Sequence, residues 1–259
     1  MCRSFLRTVA LGAAVTYLTA GTAAAQWGTL KGRFVYDGKA PAPEKIESGK
    51  EPACAKHHLV YEELVVGDDG GLANVVVYVS SKKFEIHPDY AKTAKDTVRF
   101  DNRHCRFEPH ILPIRLSQTL ELHNSDTFAH NSNLSPIRDE PINPLLSPGT
   151  KMDYNFHIAQ KIPVSISCNI HSWMKGYVVV RDDPYVGVSQ EDGTFEIKDL
   201  PVGELEFTLW HEKVGWLQVG KADKKGKWKI KIKKGDGNDL GVIKVAPKAL
   251  EKKKSGSAA

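Results

Sequence analysis

Cys168, His171 and Met174 follow one another at intervals of three in the run Cys168-Asn169-Ile170-His171-Ser172-Trp173-Met174, and His130-Asn131 lies upstream. Two imidazoles, a thiolate and a thioether make a donor set suited to copper in one-electron work, because soft sulfur holds Cu(I) and imidazole serves both oxidation states. A tight loop between two strands can bring Cys168, His171 and Met174 to one point. His130, from a neighbouring strand end, then completes a trigonal His, His, Cys site with Met174 as a weak axial ligand. Taken singly, each residue has a plainer explanation, since Cys and Met are common core hydrophobes. Their concurrence in a chain whose methionines are Met1, Met152 and Met174 favours a metal site. Zinc also takes His, His and Cys, and the thioether argues for a single copper ion instead.

The loop resembles that of the type 1 copper proteins, the cupredoxins, and its C-x-x-H-x-x-M length is that of the amicyanin and plastocyanin-like members. The segment His123-Asn124-Ser125-Asp126-Thr127-Phe128-Ala129-His130-Asn131 is similar to the family's N-x-D-x-x-x-H-N stretch, which carries the first histidine ligand. The resemblance implies a Greek-key β-sandwich and a rigid copper site for electron transfer. It also implies that Asn131 supports the ligands from behind, tying the His130 strand to the Cys168 strand. With four protein ligands no position is left for substrate, so a carrier is expected rather than an enzyme.

The elements that must position these residues are strands. Alternation marks Leu30 to Tyr36 before the Asp37-Gly38 turn, Tyr61 to Val66, Leu72 to Ser80, Gln118 to Leu122, Met152 to His157, Val164 to Cys168 and Lys175 to Val180. His87 to Lys95 reads as a helical turn, and the proline-rich stretch from Ser135 to Gly149 as a loop over the site. After Asp182-Asp183-Pro184 the pattern changes. Asp192 to Glu212 holds D-G-x-F-x-I, then L-P-x-G, then W-H-E. This resembles the carboxypeptidase regulatory-like β-modules, and a copper loop followed by such a module is similar to exported proteins related to methylamine utilisation. In that context His211 and Glu212 read as a surface pair on a scaffold.

The domain plan expected is therefore all-β: a signal peptide at 1–25, a β region at 26–96 packed on the copper half, a cupredoxin-like domain at 97–182, a second sandwich at 183–247 and a disordered Lys-rich tail at 248–259. Arg3 and Arg7 precede the apolar run Val9 to Ala20, and Ala23-Ala24-Ala25 before Gln26 offers a cleavage site, the pattern of export to the periplasm or beyond. The run is short for a membrane span, and none is expected to insert elsewhere.

Export sharpens the cysteine count. Loss of Cys2 leaves Cys54, Cys105 and Cys168 of the four, an odd number in an oxidising compartment. A metal-bound Cys168 leaves Cys54 and Cys105 for a disulfide; the rival is a second metal site built from Cys105, His104 and His110. The formal charge of +5 resides in the leader's two arginines and the Lys-rich tail, so the body is near neutral. In the basic stretch Lys227, Lys229, Lys231 and Lys233 alternate with Trp228, Ile230 and Ile232, which describes a half-buried edge strand rather than a nucleic-acid surface. The expected partner is a redox protein meeting a monomer. His171 is expected to turn its outer edge to solvent as the electron port, flanked by Ile170 and Trp173 as the docking surface; the alternative is that Trp173 packs inward against the second module. Copper storage or delivery, and a purely structural β protein, stand as the other function classes.

Overall fold

The computed structural model describes residues 26–48 and 51–251. The expected signal peptide and most of the expected tail lie outside the described residues. No described helix is long and apolar enough to cross a membrane.

The chain is all-β, as the alternation predicts, and forms two sandwiches. In the first, the sheet Lys151–Tyr154, Thr119–Asn124, Thr97–Arg103, Arg106–Glu108 faces the sheet Ile111–Arg115, Lys175–Arg181, Val164–Ser167, Asn133–Ser135. Phe100, Phe107, Leu120, Leu122, Ile166, Val178 and Val180 fill the space between them. In the second, the sheet Thr194–Pro201, Trp27–Tyr36, Gly235–Val245 faces a sheet centred on Val76–Val79 and Gly203–His211. Its core holds Phe34, Leu72, Tyr185, Phe195, Phe207 and Ile232.

This pairing corrects the expected grouping of 26–96 with the copper half. Trp27–Tyr36 pairs antiparallel with Thr194–Pro201 and parallel with Gly235–Val245, and Val76–Val79 pairs with Gly203–His211. Both early strands thus complete the C-terminal sandwich. The run Val75-Val76-Val77-Tyr78-Val79 is buried throughout because it lies between two cores. Val75, Val77 and Val79 point into the second sandwich, whereas Val76 and Tyr78 meet Ile111, Val179 and Trp210 of a small cluster between the sandwiches. A strand covered on both faces needs an unbroken apolar run, and this one has it.

Local chemistry sets the turns. Gly193, at φ +79°, closes the Asp192-Gly193 turn against Trp27–Tyr36, and a Cβ there would lie 2.0 Å from the Phe34 carbonyl oxygen. Only glycine fits that approach. The strand Lys227–Ile232 turns Ile230 and Ile232 inward, and its lysines face Glu204 and Glu206 across the ladder. The helical turn expected near His87 is the 3-10 helix Pro88–Thr93. Tyr61 to Val66 makes no strand, only the isolated bridge Val66 to Leu72. The start of the expected tail is also ordered: Pro247–Leu250 forms a 3-10 turn, with Leu250 buried in the second core.

Tyr185 shows what a buried polar atom contributes here. Its hydroxyl, in a fully buried side chain, accepts from the His87 N–H at 2.9 Å and donates to the Glu85 carbonyl at 3.3 Å. Tyr185→Phe leaves both groups unpaired and is expected to cost about 1–2 kcal/mol in chemical unfolding. An unchanged midpoint would show that water takes over both bonds.

Candidate metal centre

The centre forms at one end of the first sandwich, where two loops meet. The upstream loop is pinned by Asn124, whose side-chain amide donates to the Phe128 and Leu146 carbonyls, both at 2.8 Å, while its Oδ1 accepts from the Asp126 N–H at 3.0 Å. The loop ends in the two-residue strand His130–Asn131, which pairs with Leu145–Leu146. The proline-rich stretch is therefore not wholly loop. The downstream loop joins the paired strands Val164–Ser167 and Lys175–Arg181. It closes on itself through Cys168 N–H to the Met174 carbonyl at 3.1 Å and Met174 N–H to the His171 carbonyl at 2.8 Å.

Asn131 joins the two loops. Its Oδ1 accepts from the Asn169 N–H at 2.8 Å and the Ile170 N–H at 3.3 Å, and lies 3.4 Å from Cys168 Sγ; its amide donates to Asn143 Oδ1 at 2.6 Å. One amide oxygen fixes the start of the Cys168 loop relative to His130.

This framework brings the donors together. Cys168 Sγ lies 3.9 Å from His130 Nδ1 and 3.7 Å from His171 Nδ1. Among the described residues, these three form the group whose donor atoms all fall within 4.8 Å of one another. Donors bound at about 2.0–2.3 Å to one ion are separated by similar spacings, so the set fits a metal after small adjustment. Met174, 1% exposed, is buried in the same apolar cluster as Cys168.

Charge and tautomer are prepared as well. Burial alone would raise the Cys168 thiol, but hydrogen bonds from His130 and His171, with backbone N–H groups behind them, bring it down to about 6. The sulfur is a thiolate at neutral pH, the form that binds metal. His130 is fully buried, and its Nε2 lies 2.9 Å from Asp126 Oδ2. Asp126 holds a proton on Nε2, so Nδ1 is the nitrogen turned to Cys168: it donates to the thiolate in the protonated ring and is free to take a metal once that proton leaves. Asp126 also accepts the His104 and Cys105 N–H groups, at 2.8 and 2.9 Å. Burial works against its charge, but the His130 bond and these two donors keep the carboxyl below its ordinary range. Asp126 stands in the N-x-D-x-x-x-H segment, and its acceptor role was not assigned from sequence.

The electron-port expectation requires correction. His171 is 3% exposed, and its Nε2 is buried without a hydrogen-bond partner, 4.0 Å from Glu51 Oε2. Its ring is packed among those of His130, Phe128 and Trp173, at 4.6, 5.6 and 5.3 Å. Trp173 faces inward, donating Nε1–H to the Cys105 carbonyl at 3.2 Å and packing beside Cys54, Leu59 and Cys105. Of the expected docking pair, Ile170 alone is exposed.

Cys54 and Cys105 are disulfide-bonded, so Cys105 is withdrawn from the rival second metal site. His104 and His110 are also kept apart from each other's partners. His104 Nδ1 lies 3.1 Å from Glu108 Oε1, whereas His110 Nε2 lies 2.6 Å from Glu212 Oε1 and its Nδ1 3.7 Å from Glu62 Oε2. The His211-Glu212 pair is not a surface feature. His211 is fully buried, and burial, with Lys213 and His110 nearby, lowers it to about 4. Glu212 instead reaches across to His110, so this bond ties the second sandwich to the first.

No family model matches the chain, and no curated protein does so either. Solved structures give partial likenesses. A copper-containing nitrite reductase from Thermus scotoductus is 25% identical over 39% of this chain and 24% of its own, with a TM-score of 0.29. A purple cupredoxin from Nitrosopumilus maritimus is 22% identical over 33% of this chain and 99% of its own, with a TM-score of 0.28. A reduced amicyanin variant is 18% identical over 40% of this chain and 98% of its own, with a TM-score of 0.31. The chain thus spans about a quarter of the nitrite reductase.

Proposed function

We propose that this chain is an exported copper protein of cupredoxin type, a carrier of single electrons rather than a catalyst. The observation that carries the reading is the convergence of Cys168 Sγ with the Nδ1 atoms of His130 and His171 in a buried pocket. Copper bound there supplies reversible Cu(I)/Cu(II) cycling. Cys168 would contribute the thiolate, His130 and His171 the two imidazoles, and Met174, buried in the same cluster as Cys168, a weaker thioether contact that would tune the potential.

Rigidity is the protein's part in this. Asn131 holds the loop backbone and Asp126 orients His130, so neither histidine has to rearrange when the charge at the site changes by one. Phe128 and Trp173 pack against the His171 ring and cover that donor from the side. Export agrees with the Cys54–Cys105 bridge, since such bonds persist in oxidising compartments. The second sandwich, carboxypeptidase regulatory-like in its motifs, serves as a scaffold.

The test is the visible spectrum and voltammogram of the copper-loaded protein. An intense thiolate-to-Cu(II) charge-transfer band with a reversible one-electron wave is expected. Tight binding of several Cu(I) equivalents would favour storage instead. Preference for zinc without a redox couple would remove the proposal.

A further inference from the structure

Both histidine donors are held, at one remove, by the same residue. The Cys105 N–H donates to Asp126 Oδ2, the atom that lies 2.9 Å from His130 Nε2. The Cys105 carbonyl accepts from Trp173, whose ring packs on His171. The backbone that makes this possible is unusual. His104 and Cys105 have φ of +54° and +57°, consecutive left-handed residues without a glycine, a conformation that persists only when its surroundings hold it. Here it directs two successive N–H groups at one carboxylate.

The side chain of Cys105 points the other way, into the bridge with Cys54. Cys54 lies in the short helix Pro52–Ala55, and both cysteines are fully buried with Leu59, flanked by Ile46, Phe128 and Trp173. The backbone bonds of this region are internal, such as Ile46 N–H to Leu59 and Tyr61 N–H to Glu44. The bridge and the small apolar cluster around it are what seat the helix beside the donors. Glu51, just before the helix, is the group facing the buried Nε2 of His171.

We propose that Cys105 is a positioning residue for both histidine donors, and that the Cys54–Cys105 bridge clamps the helix Pro52–Ala55 and Leu59 as a fixed cover that retards metal exchange. The inference rests on the copper reading given above. Release of an ion held there would require the His171 or His130 ring to swing aside. His171 is blocked by Phe128 and Trp173, which lean on the bridge, and His130 by Asp126, which is bonded to Cys105. Exchange is therefore slow while the bridge is closed.

The experiment uses copper-loaded full-length protein and a chromophoric Cu(I) chelator, following the rate of copper transfer under ascorbate. The double variant Cys54→Ala/Cys105→Ala is expected to release copper at least tenfold faster than wild type and to show an altered thiolate charge-transfer spectrum. Leu59→Ala, with the bridge intact, should show a smaller change in the same direction. Tyr185→Phe loosens the other sandwich and should leave the rate unchanged, which separates the clamp from general loss of stability. Rates within twofold of wild type in both cover variants overturn the proposal. If the double variant does not fold, Leu59→Ala decides: acceleration supports the cover, and an unchanged rate overturns it. Wild-type protein that takes up no copper would overturn the underlying reading, a different failure from an unclamped site that binds copper and exchanges it freely.

Discussion

Replacing Cys168 by serine is expected to abolish the coloured copper site completely. The substitution is nearly isosteric, so the 2%-exposed side chain leaves little new space and the fold should survive. The chemistry does not survive. A serine hydroxyl is not ionised at neutral pH, whereas the Cys168 thiol, placed between His130 and His171, is brought down to about 6. The variant thus loses both the soft donor and the ionised sulfur from which charge transfer to Cu(II) arises. The same shift sets a pH dependence. Protons compete with metal for the sulfur below about 6, and for His130 from a higher pH, because although burial lowers that ring its bonds to Asp126 and Cys168 hold it above its ordinary range; copper affinity of the wild type should therefore weaken progressively as the pH falls from neutral. The control is Met174→Leu, which removes the thioether and keeps the volume: the expected result is a shifted potential with copper retained. A visible charge-transfer band persisting in Cys168→Ser would refute the thiolate assignment.

What could be read from the sequence was what short range determines. Cys168, His171 and Met174 lie within one loop, and the donor chemistry of that loop is narrow. His130-Asn131 was found through its own neighbours, and the odd cysteine count separated Cys168 from Cys54 and Cys105. The strand Lys227–Ile232 followed from alternation alone, since Ile230 and Ile232 must share a face. Partnership across the chain could not be read this way. The alternating pattern of Trp27–Tyr36 is the same whichever sandwich it joins, and its pairing with Gly235–Val245 depends on contacts about two hundred residues away. The cover over His171 is invisible for a related reason: Pro52–Ala55 is a single helical turn in a polar stretch, and nothing in its periodicity points toward the donors. The surface reading of His211 and Glu212 follows from the scaffold character of the module that the motifs resemble, which says nothing of a partner in the other sandwich. The partner of Glu212, His110, lies 102 positions away.

Removing the Asp126 carboxylate should produce the largest combined loss of stability and affinity, because three donors converge on it. Oδ1 accepts from the His104 N–H, Oδ2 from the Cys105 N–H, and Oδ2 also pairs with His130 Nε2. Its side chain is 9% exposed, so water cannot readily replace those bonds. Asp126→Ala leaves all three donors unpaired, and at 1–3 kcal/mol for each buried group, with partial relaxation, the unfolding free energy of the apo-protein should fall by about 3–5 kcal/mol. Asp126→Asn is the more informative change. It preserves volume but offers one oxygen, so an amide N–H must face at least one of the three donors. Two backbone donors are fixed by the left-handed turn at His104 and Cys105, and the His130 ring is the partner able to rotate. The expected outcome is a copper affinity lowered by about 10–100-fold, the usual effect of losing the group that orients a metal-binding histidine, with less damage to stability than in the alanine variant. Competitive copper titration and thermal unfolding of the apo-protein measure the two separately. Wild-type affinity in Asp126→Asn would mean that packing by Phe128, rather than the carboxylate, sets the His130 ring.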